Sequence, residues 1–70
     1  MDDVIIMSLA PNGRNQIHYE YGRAEVRRIV FDFTVYHDGT MVPPTVTSVG
    51  FARARIEQDR LAKAGWIRHE

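Results

Sequence analysis

Val26-Arg27-Arg28-Ile29-Val30-Phe31-Asp32-Phe33-Thr34-Val35-Tyr36 is the longest β-favouring run in the chain, and it leads through His37 into the turn dipeptide Asp38-Gly39. Ile29, Phe31, Phe33 and Val35 alternate with Val30, Asp32, Thr34 and Tyr36, the period of two that sends successive side chains to opposite faces of a strand. A two-residue hairpin loop needs two consecutive positive φ values, which Asp and Gly tolerate. Closure at Asp38-Gly39 sets Val35 opposite Val42, Phe33 opposite Pro44 and Tyr36 opposite Met41. Pro has no N–H to give to a ladder, so Pro43-Pro44 mark a sheet edge or an early end to pairing.

Upstream, Asn12-Gly13 is a second turn dipeptide of the same kind. A hairpin centred on it pairs Leu9 with Gln16, Met7 with His18 and Ile5 with Glu20 on one face. On the other it pairs Ser8 with Ile17, Ile6 with Tyr19 and Val4 with Tyr21. The second set is the apolar one, which makes Val4, Ile6, Ile17, Tyr19 and Tyr21 the expected core or interface surface. Pro11 marks where the ladder stops, and Gly22 breaks the pattern before the long strand.

Downstream, Ser48 to Ala64 favours helix, with Thr47 or Ser48 as its cap and Gly65 in the left-handed position past its end. Trp66 and Ile67 then fold back as an apolar contact. Gly50 weakens the first turn, which leaves a strand from Thr45 to about Phe51 as the alternative. At about 100° per residue, Val49, Ala52, Ile56 and Ala64 fall on one side and Phe51, Ala54, Leu61 and Ala62 on roughly the other. A helix apolar on two sides lies between two layers or shows one side to a partner; otherwise only one of Ile56 or the Phe51 and Leu61 pair is buried.

Seventy residues make one domain, near the lower size at which a core holds without disulfides, metal or a partner. There is no cysteine, which removes disulfides, thiolate metal sites and thiol nucleophiles. Nine basic and nine acidic side chains cancel, so no net field draws the chain to nucleic acid or an anionic membrane. Met1-Asp2-Asp3 is acidic where a secretory signal is basic, and Val4 to Met7 is too short to span a membrane. The expected home is the cytoplasm.

The candidate chemistry is sparse. His18, His37 and Asp32 could assemble a metal site in space, but nothing in their spacing demands one. Ser8 or Ser48 with a histidine forms only a formal triad, without a cleft or oxyanion hole. No glycine loop suits phosphate. Neither a catalytic residue nor a cofactor or metal site is assigned. Eight of the nine basic residues are Arg, whose planar multi-donor head suits interfaces and phosphates. Arg23, Arg27 and Arg28, the basic side of the helix and the tyrosines are the candidates for nucleic acid.

These readings lead to an α+β fold: an antiparallel meander of three to four strands in sequential order, built from two hairpins, with one C-terminal helix packed on the sheet. Ile29, Phe31, Phe33 and Val35 lie on one sheet face and Val26, Val30, Tyr36 and Met41 on the other, and one helix covers only one of them. The expected function is a non-enzymatic protein-interaction module, an accessory or inhibitor protein of a phage or other mobile element. It binds a larger protein, associates with itself as a homo-oligomer (a dimer), or does both. The candidate interface is Val26, Arg28, Val30, Tyr36, Met41, Tyr19, Tyr21, Arg53 and Arg60. A nucleic-acid-binding module is the alternative.

Overall fold

The computed structural model describes residues 3–9, 15–32 and 38–69. Strands β1 (Asp3–Ser8), β2 (Asn15–Tyr21), β3 (Val26–Asp32) and β4 (Thr45–Val49) precede helix α1 (Phe51–Lys63), and β5 (Ile67–His69) follows it. They form one five-stranded sheet in the order β4-β3-β2-β1-β5, with every neighbouring pair antiparallel. The fold is α+β, and its first four strands form the sequential meander expected. The fifth strand was not anticipated: Ile67, expected only to fold back, pairs with Ser8 beside β1.

The first hairpin differs in register from the expectation. Ile5 faces Tyr19 and Met7 faces Ile17, one residue away from the pairing that a two-residue loop at Asn12-Gly13 dictates. That dipeptide lies outside the described residues, as does Pro11. A shift of one exchanges partners between faces. Tyr19 and Tyr21 therefore share a face with Ile5 and Met7, whereas Val4 and Ile6 share theirs with Glu20 and His18.

Between β2 and β3 the chain turns at Gly22, whose N–H donates to the Glu25 carbonyl at 3.0 Å. A Cβ at Gly22 would stand 3.2 Å from that carbonyl oxygen, which favours glycine there. Asp38 and Gly39 lie at a turn, but only Gly39 takes a positive φ, +88°, so the two consecutive positive values expected of a two-residue hairpin loop are not met. Asp38 Oδ1 accepts from the Thr40 N–H at 3.0 Å and the Thr40 hydroxyl at 2.6 Å, and these bonds hold its carboxyl below the usual range. The pairings proposed for Phe33, Val35 and Tyr36 lie outside the described residues. Past the prolines β3 and β4 pair from Val30 opposite Thr45 to Val26 opposite Val49, two residues from the register that closure at Asp38-Gly39 dictates. Pairing thus resumes after Pro43-Pro44, and β4 is an edge strand.

Thr45 to Val49 being strand, the helix starts at Phe51 and its N-cap is Gly50, with no side-chain cap bond. The expected cap at Thr47 or Ser48 is thereby corrected, because both belong to β4. The C-terminus follows the expected chemistry. Gly65 takes φ +101°, its N–H donates to the Ala62 carbonyl at 3.1 Å, and the Trp66 N–H donates to the Leu61 carbonyl at 2.9 Å. This is a Schellman closure, with Trp66 and Leu61 packed against the core as its apolar contact.

The helix lies over the face carrying Ile5, Met7, Ile17, Tyr19, Tyr21, Val26 and Val49. Met7, Tyr19, Val26 and Ala54 are fully buried there, each large side chain contributing about 1.5–3 kcal/mol. Ala54, Gln58 and Leu61 look inward while Ile56 stays 51% exposed, so only the Leu61 side is buried. Among the described residues no helix is long and apolar enough to cross a membrane.

Candidate protein-binding face

The helix covers the face that holds most of the expected interface. Val26 and Tyr19 are core residues, and Val30 is half-buried on the same side. Arg28 is committed to Glu57 Oε1 at 2.8 Å and donates from Nε to Thr47 Oγ1 at 3.2 Å. The Tyr19 hydroxyl donates to Glu57 Oε2 at 3.2 Å. Burial and that carboxylate push its pKa well above the usual 10. Tyr21 accepts from Gln58 Nε2 at 2.6 Å and its ring stacks on Phe51 at 6.3 Å. Arg53 and Arg60 are exposed on α1, with Arg53 3.6 Å from Glu57, and Met41 is exposed between β3 and β4. Tyr36 lies outside the described residues. Apart from Met41, Arg53 and Arg60, the placed members of the set lie on the side of the sheet that the helix covers.

The apolar surface left open is on the opposite side of the sheet. Its residues follow from the observed ladders as three rows crossing the strands. The middle row runs Val46, Ile29, His18, Ile6 and His69 from β4 to β5. One neighbouring row holds Phe31, Gln16, Ser8 and Ile67, and the other Ser48, Arg27, Glu20 and Val4. Val4, Val46 and Ile67 are 41, 48 and 38% exposed, and Ile6, Ile29 and Phe31 are half-buried. Apart from the histidines, the only charged side chains in these rows are Arg27 and Glu20, which pair with each other at 3.8 Å.

His18 sits in the middle strand of this face. Its ring lies 4.5 Å from that of Phe31, tilted by 52°, and its Nε2 donates to Gln16 Oε1 at 3.0 Å. Partial burial lowers its pKa, against a smaller opposing pull from Glu20. At neutral pH it is an uncharged polar group among apolar neighbours.

The other chemistries considered find little here. Ser8 Oγ lies 2.9 Å from His69 Nε2, a nucleophile–base distance, yet Ser8 is only 1% exposed and no substrate reaches it. The pair fastens β5 to β1. Of the set His18, His37 and Asp32, His37 lies outside the described residues, while His18 stands opposite Ile29 and Asp32 opposite Asn15 in the β2–β3 ladder. No group of three metal-ligating side chains occurs among the described residues. A groove of about 420 Å³ between α1 and the sheet is lined by Ile5, Tyr21, Phe51, Arg55, Asp59 and Arg68, and Arg68 is paired with Asp59 at 3.8 Å.

Sequence reasoning placed Ile29 and Phe31 together on a face but assigned Val4 and Ile6 to the tyrosine side. The signal that finds the true grouping is the β1 pattern itself: Ile5 and Met7 are the better mates for Ile17 and Tyr19, leaving the one histidine with Ile6. Compared with protein-family models, with curated proteins and with solved structures, the chain finds no match.

Proposed function

We propose that this chain acts by binding protein through the open face of its sheet, as an accessory or inhibitory partner and not as a catalyst. One observation carries this reading: three rows of side chains, apolar at Val4, Ile6, Ile29, Phe31, Val46 and Ile67, lie on the side that the only described helix leaves uncovered. A sheet buried on one side normally presents polar residues on the other. A contiguous apolar face that breaks this alternation marks an interaction surface.

Charge favours a protein over a nucleic acid. A phosphate-binding platform carries unpaired cations beside its stacking rings. On this face the described cation Arg27 is already paired, while Arg28 and Arg68 are engaged with acids on the helix side.

The test uses the tagged chain as bait, with Val46→Lys and Ile56→Lys as paired variants read by quantitative mass spectrometry. Val46 is on the open face and Ile56 on the outer side of the helix. Proteins retained by the wild type and Ile56→Lys but lost from Val46→Lys, the chain itself included, are the expected result. A retained set that ignores Val46→Lys, or salt-sensitive shifting of DNA or RNA that tracks it, overturns the reading.

A further inference from the structure

We infer that the occupant of the open face is a second copy of this chain, packed sheet against sheet so that the two helices lie outside. This rests on the protein-binding reading above and names its partner.

The first ground is area. Strands of 6, 7, 7, 5 and 3 residues, at about 3.4 Å per residue and about 4.8 Å spacing, give a face of roughly 450 Å² in outline. With its side-chain relief such a face offers roughly 600 Å² per copy, the lower end of the range around the roughly 800 Å² per partner of a standard interface. Two twisted sheets pack at about 30° and about 10 Å apart, a spacing that Ile, Val and Phe side chains from both sides fill.

The second ground is charge. An isologous interface sets each surface against its own twin, so any unpaired charge would meet its like or be buried alone. Here Arg27 and Glu20 neutralise each other within one copy, and they sit in a row at one end, beside Val4 and Ser48, where a rim remains wet. His18 and Gln16 satisfy each other within the copy. A face so neutral fits a partner equally neutral, and its own twin is one.

The third ground is the size of the core. Among the described residues four apolar side chains are fully buried, and the chain has no cysteine to cross-link. A 70-residue chain with so small a core gains from a second apolar layer. Sheet-to-sheet packing supplies it from the same polypeptide, to an extent set by the protein concentration.

Sedimentation of the full chain up to about 100 μM tests this, a range that reaches the weaker dimers expected of an interface of this size. Val4→Lys, Val46→Lys and Ile67→Lys place a cation on β1, β4 and β5 at sites exposed in the single copy, so each folds, with far-UV circular dichroism as the check. The expected result is a wild-type dimer, weakened about 100-fold or more by each of the three and unchanged by Ile56→Lys. Three results overturn it. A wild-type monomer at every concentration rejects the second copy, while the bait experiment separately judges the face. Dissociation by Val46→Lys alone assigns the dimer to pairing of β4 edges. Dissociation by Ile56→Lys alone assigns it to the helix.

Discussion

The Tyr19 hydroxyl on the central strand donates to Glu57 Oε2 on the helix at 3.2 Å, while the other oxygen of that carboxylate takes Arg28 at 2.8 Å. One acid thus fastens the helix to β2 and β3 together. Glu57→Ala leaves a half-buried guanidinium and a buried hydroxyl without their acceptor, and should cost about 2–3 kcal/mol. Tyr19→Phe removes one neutral donor and should cost about 1 kcal/mol. Urea unfolding at constant m-value compares them, and an equal or larger loss for Tyr19→Phe contradicts the assignment.

The same hydroxyl predicts behaviour in alkali. Its folded pKa is raised above the unfolded value of 10, so above pH 10 the unfolded chain releases the proton first and stability falls with rising pH. Tyr19→Phe should lessen that loss, measured as the urea midpoint between pH 9 and about pH 11.

At the acid end His18 sets the sign. Its folded pKa lies below 6.5, so as pH falls through 6.5 the unfolded chain takes up a proton first and stability drops until the folded protein titrates as well. His18→Gln should flatten this part of the profile. Glu20→Gln removes the one charge that pulls the pKa back up, and should widen the window. An unchanged slope in His18→Gln assigns the acid sensitivity elsewhere.

Gln58 is a buried amide whose Nε2 donates to Tyr21 at 2.6 Å. Tyr21→Phe strands that donor, at about 1–2 kcal/mol; adding Gln58→Leu removes the stranded group and should recover most of the loss. A double variant no better than the single one shows that the amide finds another acceptor.

Gly65 closes the helix at φ +101°, with open space around its Cα. Gly65→Ala therefore costs backbone strain and not a clash, about 1 kcal/mol by thermal or urea unfolding. A neutral outcome means that the helix end relaxes to take alanine without the strain of a positive φ.

Much of this fold is written locally. The β-favouring residues from Val26 onward specify β3, and Gly65 before Trp66 specifies how the helix ends, because both depend on neighbours in the chain. Register is a different matter. Asn12-Gly13 suggested a two-residue loop, yet Ile5 pairs with Tyr19, since burying Ile5, Met7, Ile17 and Tyr19 on one side outweighs local turn preference. That single step is why the turn dipeptide groups the tyrosines with Val4 and Ile6 as a core or interface surface, whereas the ladder groups them with Ile5 and Met7. Thr45 to Val49 shows the same competition. Its β-branched residues pair with β3, and Gly50, not a capping hydroxyl, begins the helix. Three residues at Ile67–His69 are too few to carry a period, so β5 becomes visible only once the helix has delivered them to β1.

That delivery has a kinetic consequence. Strands β1 to β4 join by neighbouring pairings, but Ser8 and His69 stand 61 positions apart and meet only after α1 has crossed from one edge of the sheet to the other. Contacts of such separation form late and open early. The β1 edge therefore breathes: each time β5 peels away, Ile6 and Ser8 lose their outer neighbours. Their amides should exchange with solvent ahead of those at the β2–β3 centre, on a timescale set by a three-residue strand.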